Sequence, residues 1–108
     1  MKSTMKELAQ HFDREYILPL QAYADHVYQR PTYEKLIDLE KEMQKLKYLM
    51  RLYIQQVNAM APLLTQAQIE EIQGLIQVQI KVVQYMEDEM NWMNKYNHRE
   101  KLFSENRK

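Results

Sequence analysis

Leu36, Leu39, Met43, Leu46, Met50, Tyr53, Val57 and Met60 succeed one another at alternating spacings of three and four, an uninterrupted apolar heptad seam. Residues three and four apart share one face of a helix, whereas a half-buried strand would need a period of two. At about 1.5 Å per residue the seam runs roughly 36 Å, so a surface of similar length has to cover it. A chain organised around such a segment is a helical bundle. The rest of the sequence agrees, since one Gly and three Pro in 108 residues leave little turn material for a β-sheet. We expect an all-α fold, an antiparallel up-down-up bundle of three long helices in a single domain spanning residues 1–108, and we expect it to dimerise.

The first helix is expected to start near Met5, with Thr4 and Glu7 forming a capping box. Its apolar face reads Met5, Leu8, Ala9, Phe12, Tyr16, Leu20, Tyr23, Ala24 and Val27. Pro19 lacks a backbone donor and crowds the preceding turn, so a kink or a break is expected at Leu18-Pro19. Arg30-Pro31-Thr32 ends this unit, with Thr32 placed to cap the second helix, which runs to about Ala61 before Pro62 stops it. Thr65 and Gln68 offer a capping box to the third helix. That helix carries Ile69, Ile72, Ile76, Gln79, Val83, Met86, Met90 and Met93 on its apolar seam. A polar stripe of Gln66, Glu70, Gln73, Gln77, Lys81, Gln84 and Asp88 lies opposite and should face water. Residues 98–108 are expected to fray. The N-terminal half of the second helix has a narrow apolar face flanked by charges, so that end of the bundle is expected to pack more loosely.

Two positions depart from the pattern. Gln79 is the one polar member of its seam; a buried amide there would penalise misaligned packing, whereas at the edge of the seam it would sit in water. Gly74 inside the third helix costs about 1 kcal/mol relative to Ala. Close approach of a neighbouring helix is one reason for such a Gly, and a tolerated surface position is another.

Lys plus Arg and Asp plus Glu both number 15, which argues against nucleic acid as a partner because duplex binding needs concentrated positive charge. No stretch approaches the roughly 18 uncharged apolar residues of a membrane span, and the N-terminus lacks the apolar core of a signal peptide. We therefore expect a complete, cytoplasmic chain with no membrane partner. Zero Cys excludes disulfides and thiolate chemistry within the chain. Glu7, His11 and Glu15 share one helix face, but no Glu-x-x-His pair occurs, so neither a metal nor another cofactor is expected. Catalysis is not expected either: Arg14, Lys41, Lys45, Lys47 and Arg51 fall at or outside the seam edges, and Ser occurs only at Ser3 and Ser104.

The functional expectation is a small non-enzymatic protein-protein interaction module, a regulator, adaptor or inhibitor, that presents an apolar helical face to a protein partner or to a second copy of itself as a homodimer. Met86, Met90, Trp92, Met93 and Tyr96 of the third helix, with Tyr48 and Leu52 of the second, are the candidate interface, since Met and aromatic side chains re-pack readily around apolar partners. The competing role is structural, with Met86, Met90 and Met93 as plain core and Trp92 and Tyr96 packed on the first helix. The alternative function is a helical-bundle enzyme or small-ligand binder with a pocket near Pro19, Tyr23, Trp92 and Met93.

Overall fold

A computed structural model of the chain describes residues 4–95. The described residues are helical apart from short turns and contain no strand. The Thr4 side chain, Tyr96 and the segment expected to fray lie outside the described part.

The first rod comprises α1 (Thr4–Phe12), a π-helical turn (Asp13–Ile17) and α2 (Leu18–Gln29). Helical backbone is kept throughout: Phe12, Ile17 and Leu18 are all in the right-handed α region. Pro19 accordingly falls in the first turn of α2, where a missing N–H costs α2 no internal bond. The proline is accommodated by widening the turn before it, with the Leu18 amide donating back to the Asp13 carbonyl, five residues earlier.

The extra residue shifts the apolar face. Buried side chains run Met5, Ala9, Phe12, Ile17, Leu20, Ala24 and Val27, so Ile17 takes the core position that a regular period assigns to Tyr16. Tyr16 is exposed on the surface, although its ring still rests against Phe12 with centroids 5.1 Å apart.

The second rod, α3 (Tyr33–Met60), starts where Thr32 Oγ1 accepts from the Lys35 amide at 3.1 Å. It ends in a single turn of 3-10 helix over Ala61–Leu63 that contains Pro62. The third rod, α4 (Gln66–Lys95), opens with both arms of a capping box. The Gln68 amide donates to Thr65 Oγ1 at 3.2 Å, and the Thr65 amide donates to Gln68 Oε1 at 2.9 Å.

The α3 seam is buried from Leu36 to Val57, with Met60 half-buried at its end. On α4 the buried set is Ile72, Ile76, Gln79, Val83, Met86, Met90 and Met93, while all seven residues of the polar stripe are exposed. One connected apolar cluster joins the rods. Leu36, Leu39 and Met43 are 0% exposed; the end of the bundle expected to be loose is the best covered. The narrow face of α3 there belongs to the same buried cluster as Val27 of α2 and Met90 of α4, which a view of α3 alone does not reveal.

Polar contacts pin the rods at several heights. Tyr23 of α2 donates to Asp38 of α3 at 2.6 Å. Lys47 and Glu87 form an ion pair at 2.7 Å between α3 and α4, and Asn94 donates to Glu40 at 2.8 Å. Half-exposed pairs of this kind add little stability but hold the facing surfaces in register. A Cβ at Gly74 would meet nothing within 4 Å, so Gly74 is an open surface position and no helix approaches it closely.

Candidate functional site

α4 carries a buried apolar seam and, beside it, a second set of apolar side chains that are largely exposed. Beside the buried seam runs an outer ridge, Val78, Tyr85 and Trp92, which are 61%, 68% and 53% exposed. Their spacing of seven residues places them in line along the rod, with half-buried Leu75 and Val82 on their inner flank. Three large apolar side chains aligned over four turns of a rigid helix differ from the scattered apolar residues that any surface shows.

The candidate interface separates into distinct environments. Met86, Met90 and Met93 are buried in the core, with Met86 and Met90 each bordering a small cavity. Trp92 is on the outer ridge. Tyr48 and Leu52 are exposed one turn apart on α3, on the side turned away from the core, where Lys45 and Arg51 flank them. Tyr96 lies outside the described residues. Val78 and Tyr85, which the periodicity of the buried seam passes over, complete the ridge. The signal for them was their seven-residue spacing from Trp92.

Pro19 and Tyr23 line a cavity of about 480 Å³ between α2 and α3, with Glu15, Tyr16, Asp38, Glu42 and Lys45 among its walls. Trp92 and Met93 are not among its lining residues. A smaller cavity, of about 250 Å³, lies between α2 and α4 and is lined by Gln21, Ala24, Asp25, Tyr28, Tyr85, Met86 and Glu89. The hydroxyl of Tyr28 is buried without a hydrogen-bond partner among the described residues, a costly state for a polar group.

Inside the core, Gln79 is 4% exposed and fully engaged. Its amide group donates to the Ala9 carbonyl at 2.9 Å and to Asp13 Oδ1 at 3.0 Å, and its Oε1 accepts from the Tyr53 hydroxyl at 2.9 Å. The contact ties all three rods together at the start of the π turn. Tyr53 also stacks on Phe12 with centroids 4.5 Å apart.

Three tyrosines are pushed up to about 12 from the usual 10.0: Tyr23 by its hydrogen bond to Asp38 and then by burial, Tyr28 by burial and then by Glu89 and Asp25, and Tyr53 by burial and then by Asp13. In the unfolded chain these phenols ionise near pH 10.0, so between there and the raised values the folded state binds more protons than the unfolded one. Stability from this source is complete below that window and falls as pH rises through it. The urea midpoint is therefore expected to drop from about pH 10 to about pH 12, and less steeply in Tyr53→Phe. Equal midpoints at the two ends of that range would contradict the burial of these hydroxyls.

Among the described residues there is no group of three His, Asp or Glu side chains placed to hold a metal ion, and no helix is long and apolar enough to cross a membrane. No protein-family model matches the chain, and no curated protein or solved structure is significantly similar to it.

Proposed function

We propose that this chain is a non-enzymatic protein-protein interaction module, an antiparallel up-down-up bundle that uses the outer face of α4 to hold an apolar surface of another polypeptide. The antiparallel arrangement is supported by Tyr53 with Gln79, Lys47 with Glu87 and Glu40 with Asn94, pairs in which numbers fall along α3 as they rise along α4. The observation that carries the functional reading is the exposed line of Val78, Tyr85 and Trp92. Each such side chain would release ordered water on docking, and aromatic residues supply much of the binding energy at interfaces. Against an enzymatic role, Lys47 and Arg14 are turned to Glu87 and Glu15 rather than converging on a site for an anionic substrate.

A photo-crosslinking amino acid at position 85, introduced in the source cells, is expected to yield covalent protein adducts. The same group at Gln77 on the polar stripe is expected to yield few. Equal labelling at both positions, or adducts at neither, would reject α4's outer face as a docking surface.

A ligand-binding alternative is favoured by the cavity at Pro19 and Tyr23. Its carboxylates Glu15, Asp38 and Glu42 outnumber Lys45 and would select a cationic molecule. Native mass spectrometry would show that ligand as a stable added mass smaller than a protein chain.

A further inference from the structure

The cavity of about 480 Å³ between the first rod and α3 is shaped by the π turn. The turn seats Ile17 in the core and leaves Tyr16 39% exposed, where it forms part of the cavity wall. Pro19, next along that wall, contributes a short ring and no N–H. On the other side Asp38, Glu42, Lys45 and Leu49 flank the buried seam of α3, positions from which side chains close over the join between packed helices. Tyr23 and Asp38 do close it, at 2.6 Å. Numbers fall along α3 as they rise along the first rod, from Phe12 with Tyr53 to Tyr23 with Asp38, so Pro19 lies near the height of Glu42. The short proline wall leaves room there.

The walls are of two kinds. Leu20 and Leu46 are buried and border the cavity on its core side, with Leu49 half-buried beside them. Glu15, Asp38 and Glu42 bring carboxylates, Lys45 one ammonium, and Tyr16 and Tyr23 two rings whose faces attract cations. Glu42 is half-buried and, among the described residues, forms no ion pair with Lys45 or any other cation. Asp38 and Glu42 converge on one point: the Tyr23 phenol is pushed up to about 12 by its hydrogen bond to Asp38, then by burial and by the charges of both carboxylates. A bare metal ion does not suit the set, because no three His, Asp or Glu among the described residues are placed to hold one. A polyamine would use the carboxylates and leave the leucines wet. An ammonium joined to an apolar body uses every wall.

Resting on the reading of this cavity as a ligand site, and independent of docking at α4, we propose that it binds an organic ammonium carrying an aromatic body. The ammonium donates to Glu42, since Asp38 already accepts from Tyr23 and Glu15 is turned to Arg14. The ring lies on Leu20, Leu46 and Leu49, beside the phenols of Tyr16 and Tyr23. Glu15, Tyr16, Asp38 and Lys45 are exposed, so the cavity is open to water and holds its ligand weakly. A compound of about ten non-hydrogen atoms is expected to bind with a dissociation constant on the order of a millimolar or a few tenths of one.

Titration of phenethylammonium into the full chain, followed by backbone amide NMR shifts, is the test. Saturable shifts at Leu20, Tyr23, Leu46 and Leu49 are expected. Neutral phenethyl alcohol, which lacks the charge, and spermidine, which lacks the ring, are each expected to bind about tenfold more weakly or worse. Glu42→Gln is expected to weaken the ammonium about fivefold or more and to leave the alcohol unchanged, a split that a merely misfolded variant would not give. Tyr16→Ala is expected to weaken it about threefold, and Glu89→Gln, on α4 at the other cavity, to change nothing. No saturation by about 20 mM, equal affinity for the alcohol or for spermidine, or a Glu42→Gln variant that binds as the parent does would each overturn the proposal. If phenethylammonium does not bind while native mass spectrometry of the chain from its source cells still shows a small added mass, the ammonium class fails and the ligand site stands. If neither is seen, both fail, and docking at α4 is decided separately by the crosslinker at position 85.

Discussion

Leu39→Ala is expected to destabilise the chain by about 3 to 5 kcal/mol, the range for removing a fully enclosed Leu from a core that relaxes little. Leu39 is 0% exposed, with Leu36 and Met43 equally enclosed on the same seam. A domain of this size has about 5 to 15 kcal/mol in total, so the variant should be marginal at physiological temperature. Urea unfolding followed by far-ultraviolet circular dichroism would measure it, with Gln44→Ala on the exposed side of α3 as the control, expected within about 0.5 kcal/mol of the parent. A cost for Leu39→Ala below about 1 kcal/mol would mean that the N-terminal half of α3 is not enclosed as described.

Gln79→Met is expected to cost about 2 to 4 kcal/mol although it preserves side-chain length. Three hydrogen bonds are lost at once, leaving the Tyr53 hydroxyl, the Ala9 carbonyl and the Asp13 carboxylate short of partners. The loss is dominated by buried groups left unmade, so removing a second one should recover part of it. Tyr53→Phe in the Gln79→Met background should therefore cost less than Tyr53→Phe alone. A double-mutant cycle should give a coupling of about 1 kcal/mol or more. Zero coupling would show that Tyr53 and Gln79 do not share a bond in solution.

The first rod shows where periodicity carries an argument and where it misleads. Continuing a three-and-four pattern from Phe12 selects Tyr16, and Leu20, Ala24 and Val27 fit a helical period counted from either Tyr16 or Ile17. The choice of Ile17 over Tyr16, an interval of five from Phe12, appears only in the structure, where the π turn over Asp13–Ile17 inserts one residue. Its position just before Pro19 has a physical cause: the helix absorbs a missing donor more cheaply by widening one turn than by breaking. A break at Leu18-Pro19 is not found: helical backbone runs through the proline, and the irregularity is the π turn just before it.

The outcome for the methionines of α4 has a similar root. Their heptad spacing places Met86, Met90 and Met93 on one face, but spacing says nothing about what lies against that face. Two other rods do, and the same residues become core. The largely exposed apolar side chains of α4 lie beside that seam, at Val78, Tyr85 and Trp92.

By itself the sequence determined the helical class, the extent of α3 and the start of α4, their Thr32 and Thr65 caps and the buried seams. These depend on interactions within a few residues along one helix, which periodicity and side-chain chemistry encode directly. Only the tertiary structure decided which apolar face of α4 is covered, that Gln79 meets Ala9, Asp13 and Tyr53, and that Asp25, Tyr28, Tyr85 and Glu89 border one cavity. Each of these depends on the rotation and axial position of one rod against another, set by the packing of many side chains together, and no spacing along a single helix contains that information.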